Sequence, residues 1–275
     1  MIVFVWICRG LRRARGCFAL ACGALALATS GTAHAADEEI QVYMNDINLP
    51  HQPGLELHVN DVASGDQTPD YPGAESSLHR LRVTPEFSYG LDDHFELGAY
   101  LPLTTLDSSG HFRADGWKVR VKWLGSHTER GFFYGINYEV GRLSYRLDRN
   151  PWNNEIKLIG GWEGDKWIVG ANANFDFVLS GPSKTSGPAK TPADVQLATK
   201  LGYKLTETTI LGLESYNGVG NLRNLGNFSG SDQSTFLALD TKLGRWDFNA
   251  GVGKGYGTNK DDLIVKFIIG VPIGK

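Results

Sequence analysis

Along most of this chain apolar residues recur at every second position, and the run from Arg80 to Leu103 shows it most plainly. Leu81, Val83, Pro85, Phe87 and Tyr89 fall on one face, while Arg80, Arg82, Thr84, Glu86 and Ser88 fall on the other. After Gly90-Leu91-Asp92-Asp93-His94 the alternation resumes with Phe95, Leu97, Ala99, Leu101 and Leu103. A period of two belongs to a β-strand with one apolar and one polar face. The Gly-Leu-Asp-Asp stretch has the turn chemistry that closes two such strands into a hairpin. Each strand runs about nine to eleven residues, the length that crosses a bilayer core when tilted.

The same pattern repeats from Gly54 to the end. Trp117, Val119, Val121 and Trp123 interleave with Lys118, Arg120 and Lys122; Phe132, Tyr134, Ile136, Tyr138 and Val140 return. Ile156 to Trp162, Trp167 to Phe177, Val195 to Tyr203, Leu211 to Leu213, Leu237 to Leu243, Trp246 to Val252 and Leu263 to Ile273 follow in turn. This predicts an all-β protein, a closed antiparallel transmembrane β-barrel of about 12 strands. An even count suits a bacterial barrel with both ends in the periplasm, and closure removes the unpaired edges that lipid does not tolerate.

Two asymmetries favour a membrane barrel over a soluble sandwich. Connections near Leu91, Ser126, Gly164, Thr206 and Gly244 are brief, whereas those between them are mostly long and polar, as in outer-membrane barrels. Aromatics flank the short turns on the apolar face: Tyr89, Phe95, Trp123, Phe132, Trp162, Trp167, Tyr203 and Trp246. Around a closed barrel they form a girdle at one membrane interface.

The first 35 residues read as a leader. Arg9, Arg12, Arg13 and Arg15 precede an apolar run from Cys17 to Ala28, and Ala33-His34-Ala35 has the form of a cleavage site, placing the mature start at Ala36. All three cysteines lie in this leader, which excludes a disulfide scaffold or cysteine metal site in the exported chain. The leader holds four basic and no acidic residues, so the remainder carries 27 − 4 = 23 basic against 30 acidic residues, a net of −7. That balance excludes a nucleic-acid partner. Residues 36–53 alternate only weakly and read as a periplasmic lead-in or a segment tucked into the lumen, with the barrel over 54–275.

The polar face supplies the candidate lumen lining: Arg80, Arg82, Glu86, Glu96, Lys118, Arg120, Lys122, Glu139, Lys157, Glu214, Asp240 and Lys242, with Glu155, Asp176, Lys200 and Asp247 beside them. Such charges either set selectivity in a channel or pair across strands to fill it. Lys118, Arg120 and Lys122 form a ladder; with the turn centred near Thr128 they face Asn137, Gly135 and Phe133, so the hairpin mate leaves the ladder unneutralised and carboxylates for it would have to come from the strand on its other side. Gly251, Gly253, Gly255 and Gly257 alternate along one strand and read as relief of crowding rather than a phosphate cradle. The histidines of the exported chain show no metal-ligand spacing, and Ser77 with His79 lacks a third catalytic partner. No cofactor, metal or enzymatic activity is expected.

The segment Thr84-Pro85-Glu86-Phe87-Ser88-Tyr89-Gly90-Leu91-Asp92-Asp93-His94-Phe95-Glu96-Leu97-Gly98, followed by Leu101-Pro102, resembles the signature of bacterial outer-membrane "transporter" proteins labelled MetA-pathway of phenol degradation. The resemblance is sharp over about twenty residues. It implies a barrel in the bacterial cell outer membrane that passes small and often hydrophobic or aromatic solutes; the chain is expected to be a monomer surrounded by lipid. The ending Val271-Pro272-Ile273-Gly274-Lys275 departs from the terminal aromatic of many such barrels. An outer-membrane lipid-modifying enzyme and a plugged barrel with a structural or adhesive role are the alternatives.

Overall fold

The computed structural model describes residues 39–101, 103–105, 111–127, 130–179 and 192–273. The leader read over 1–35, most of the loop from Leu179 to Pro192, Thr128 and the final two residues lie outside them. Twelve antiparallel staves form the wall: β1 Pro53–Gly65, β2 Arg82–Gly90, β3 Phe95–Tyr100 continued by Leu103–Thr105, and β4 Phe112–Ala114 continued by Gly116–Ser126. They are followed by β5 Gly131–Leu143, β6 Trp152–Glu163, β7 Trp167–Val178, β8 Asp194–Lys204, β9 Thr209–Asn221, β10 Asp232–Leu243, β11 Trp246–Gly257 and β12 Asp261–Gly270. Each pairs with its chain neighbours, and β1 pairs with both β2 and β12. The sheet is therefore closed, and every stave has two backbone partners.

Local chemistry sets the turns. Asp92 Oδ1 accepts from the amides of His94 and Phe95 at 2.8 Å each, an Asx turn that reverses β2 into β3. These two bonds hold the exposed Asp92 carboxyl below its usual range. Gly244 stands at φ 65° in the two-residue turn between the paired Leu243 and Trp246, a conformation that only glycine adopts cheaply.

The alternation divides outside from inside. On β4, Val119 and Val121 are 43% and 41% exposed, whereas Arg120 and Lys122 are 6% and 4%. The apolar face thus points outward and the charged face inward, the reverse of a soluble barrel. The inner face is not uniformly polar. Leu124, Phe133 and Ile159 form one buried cluster with Tyr43; Val62, Ala198, Tyr216, Phe236 and Ile264 form another with Val42.

The β4–β5 register differs from that expected. Trp123 lies opposite Ile136, Lys122 opposite Asn137, Arg120 opposite Glu139 and Lys118 opposite Gly141. The shift arises because β5 overshoots β4: Gly131 and Phe133 pair only with Glu163 and Gly161 of β6. Closed barrels require such stagger, and a register inferred from one tight turn ignores it. A bulge between Leu124 and Ser126 completes the offset.

Candidate functional site: a charged lumen with an internal segment

Residues 39–50 run inside the barrel and then reverse into β1. Tyr43 is gripped along its backbone by Asn172 of β7: its N–H donates to Asn172 Oδ1 at 2.7 Å, and Asn172 Nδ2 donates to its carbonyl at 2.9 Å. One buried amide thus replaces a strand partner for both backbone groups. The Tyr43 hydroxyl meets that of Tyr100 at 2.7 Å and donates to Glu139 at 3.3 Å. Lys157 Nζ stands 3.9 Å from the Tyr43 ring centroid, a cation–π contact. Further toward the short turns, Asn48 N–H donates to Glu96 at 2.8 Å and Asn45 donates to Glu163 at 3.1 Å.

Two ion-pair networks hold the inner wall. In the first, Arg120 donates through Nε to Glu86 Oε1 at 2.7 Å and through Nη2 to Glu96 Oε1 at 2.7 Å, with a second short contact to Glu86. To reach Glu86 on β2 it must cross β3, and it does so over Gly98, where an added Cβ would lie 2.6 Å from Arg120 Nε. Lys122 pairs with Glu96 at 3.3 Å and with Asp46 of the internal segment at 3.5 Å. In the second, Glu214 accepts from Lys200 at 3.0 Å and from Lys266, while Lys200 also reaches Asp240 at 2.7 Å. Lys266 Nζ donates to the Ile40 carbonyl at 2.9 Å as well. Both networks therefore bind the barrel wall and the internal segment at once.

The candidate residues fall into clear groups. Arg80, Arg82, Glu86, Glu96, Arg120, Lys122, Glu139, Lys157 and Glu214 are buried inside; Lys118 and Asp240 are half-buried there. Glu155 pairs with Lys157 at 3.2 Å. Lys242 departs from the rest: it is 65% exposed at the short-turn rim and pairs with Asp247 at 3.0 Å. Parity put it on the inner face correctly, but it lies one step beyond the enclosed section. The ladder of Lys118, Arg120 and Lys122 is not left unneutralised, because Glu86 and Glu96 from β2 and β3 bracket its lower part and Glu139 faces Arg120.

Tyr89, Phe95, Phe132, Trp162, Trp167 and Trp246 are exposed beside the short turns, and Trp123 and Tyr203 are half-buried among neighbouring rings. A second aromatic set, Phe112, Trp117, Trp152 and Tyr256, is exposed near the long loops, with Trp117 and Trp152 edge-on at 5.8 Å. Its signal was present in the alternation, one strand length from the first set.

Between the internal segment and the long-loop mouth lies a cavity of about 1050 Å³, counting its open mouth, floored by Glu39, Ile40 and Gln41. Its wall alternates cations (Arg80, Arg82, Lys118, Lys157), carboxylates (Glu139, Glu155, Asp232, Asp261) and amides (Asn60, Asn174, Gln196, Gln233, Asn259), with Tyr216 and Phe236 on one side. Gly253 makes room for Phe236, since a Cβ there would lie 2.3 Å from the ring. No hydrogen bond joins Ser77 to His79 among the described residues: Ser77 donates to Asp261 at 2.5 Å, and His79 is exposed at φ 55°. Glu56, His58 and Glu86, in contrast, come together on the wall although their sequence spacing gave no sign of it.

No protein-family model matches the chain, and no curated protein matches it. Solved structures do. The barrel is similar to the KdgM porin (TM-score 0.54, 11% identity, covering 80% of this chain and 99% of that one). It is also similar to a COG4313 outer membrane channel from Pseudomonas putida F1 (TM-score 0.53, 11% identity, covering 85% and 100%). The NanC porin matches at TM-score 0.51 with 10% identity, covering 80% and 100%. At these identities the likeness establishes the fold alone, a closed antiparallel β-barrel.

Proposed function

We propose that the protein is a monomeric channel of the Gram-negative outer membrane, related to the transporter barrels labelled MetA-pathway of phenol degradation, that passes small solutes by way of the cavity above residues 39–50. The observation that carries this reading is an outward apolar wall around an inward polar cavity open at the long-loop mouth. Lipid is the only environment in which such a wall is stable over so many staves, and the two aromatic sets mark its interfaces. The lining favours solutes with hydrogen-bonding groups, while Tyr216 and Phe236 offer one face for an apolar or aromatic portion. Refolded protein in liposomes should therefore admit small amino acids, sugars and hydroxylated aromatic acids in a swelling assay. Absence of both swelling and conductance, with residues 39–50 present or deleted, would refute passage.

The lipid assignment has its own test. Val121→Arg should lower stability in vesicles by about 2–4 kcal/mol, the cost of arginine on a lipid-facing mid-bilayer strand, whereas Leu243→Arg, beside the short turn, should cost far less. Equal small effects would mean that this face meets water.

A further inference from the structure

We infer that Glu56, His58 and Glu86 form a binding site for a divalent first-row transition ion, with zinc as its representative, on the inner wall of the barrel. The three residues make one cross-strand patch. Glu56 and His58 are two apart on the inner face of β1, and the register sets Glu86 opposite Glu56 and Thr84 opposite His58. His58 Nε2 lies 3.2 Å from Glu86 Oε2 and 3.7 Å from Glu56 Oε2, and all three ligand atoms fall within 4.8 Å of one another. Tetrahedral zinc with bonds of 2.0–2.2 Å places its ligand atoms about 3.3–3.6 Å apart. Two of the three edges already approach that spacing.

Charge supports a cation here. Around the patch, Asp46, Glu56, Glu86 and Glu96 oppose Arg120 and Lys122. With His58 neutral as a ligand, a divalent ion would balance the carboxylate charge that Arg120 and Lys122 leave over. Arg120 holds Glu86 through Oε1, while Glu86 Oε2 faces His58 Nε2 at 3.2 Å, a hydrogen bond that an ion between the two atoms would replace. An independent sign is unsatisfied polarity: the Thr84 hydroxyl, opposite His58 in the register, is fully buried and has no hydrogen-bond partner among the described residues. Buried polar atoms are seldom left so; a water held by the ion beside Thr84 would give its hydroxyl a partner. One imidazole with two carboxylates suits zinc or its first-row neighbours better than calcium or magnesium, which take oxygen alone. Glu56 is 37% exposed, giving the ion a wet approach and a fourth position for water.

The site does not depend on solute passage and is read in detergent without it. Purified refolded protein, stripped with a chelator and titrated with zinc chloride, should bind one zinc per chain. Cobalt in its place should give visible absorption of a four-coordinate ion. Glu56→Gln and His58→Gln should each weaken zinc by about 100-fold or more, beyond the 10–100-fold usual for outer-shell changes, and abolish the cobalt band. His79→Ala and His111→Ala, at other positions, should leave both unchanged. Heat-dependent gel migration reports that each variant is folded; if His58→Gln fails to fold, Glu56→Gln at its half-exposed position decides. No stoichiometric zinc in the unmodified protein, or Glu56→Gln binding as well as the unmodified protein, would overturn the site.

Discussion

Arg120→Met should destabilise the refolded barrel by about 3–5 kcal/mol, because it strips the cation from two carboxylates that stay buried. Glu86 and Glu96 are each 3% exposed, and Arg120 joins them across β3. The methionine fills most of the space above Gly98, so lost volume contributes little and the charge term dominates. Denaturant titration in detergent or vesicles measures the effect. Arg120→Met with Glu86→Gln should recover most of it, since Glu86 is then neutral and Glu96 keeps Lys122 at 3.3 Å. Arg120→Lys should fall between, keeping the charge and losing the fork that serves two acceptors. A denaturation midpoint unchanged in the single variant would mean that lumen water, not the protein, solvates these groups.

That expectation differs from one drawn from the sequence alone, and the difference shows what a linear pattern holds. Facing was legible, since period-two alternation assigns every side chain on a stave to lipid or lumen: Val121 and Lys122 lie as read. The strand number and the short-long rhythm of connections were legible for the same local reason. Partners across strands were not. Whether Arg120 meets Gly135 or Glu139 depends on stagger, a property of the closed barrel as a whole. Bonds that skip a strand, such as Arg120 to Glu86, depend further on a single glycine at position 98. The patch of Glu56, His58 and Glu86 combines an i, i+2 pair with a residue from the next stave, so no spacing rule for helices or turns could find it. The weak alternation of residues 39–50 was informative in another way: a segment that pairs with side chains rather than with strands need not alternate.

Deleting residues 39–48 should raise the single-channel conductance of the reconstituted barrel several-fold while leaving its heat-dependent gel shift intact. The wall closes through backbone ladders in which the segment takes no part, so folding does not require it. Its hold on the lumen is partly polar and partly apolar. The Tyr43–Asn172 clasp, the Lys266 bond to the Ile40 carbonyl and the Lys122–Asp46 pair all exchange readily for water once the lumen is wet. Apolar anchoring comes from Val42 and Tyr43 in the two inner clusters. Asn172→Val removes both bonds of the clasp and leaves the clusters in place. It should therefore produce flickering between a low and a high conductance level, where the deletion gives the high level alone. Planar-bilayer recordings separate these behaviours. Identical conductance in the deletion and the full chain would show that ions already pass beside the segment, and that the resistance of the channel lies at the long-loop mouth instead.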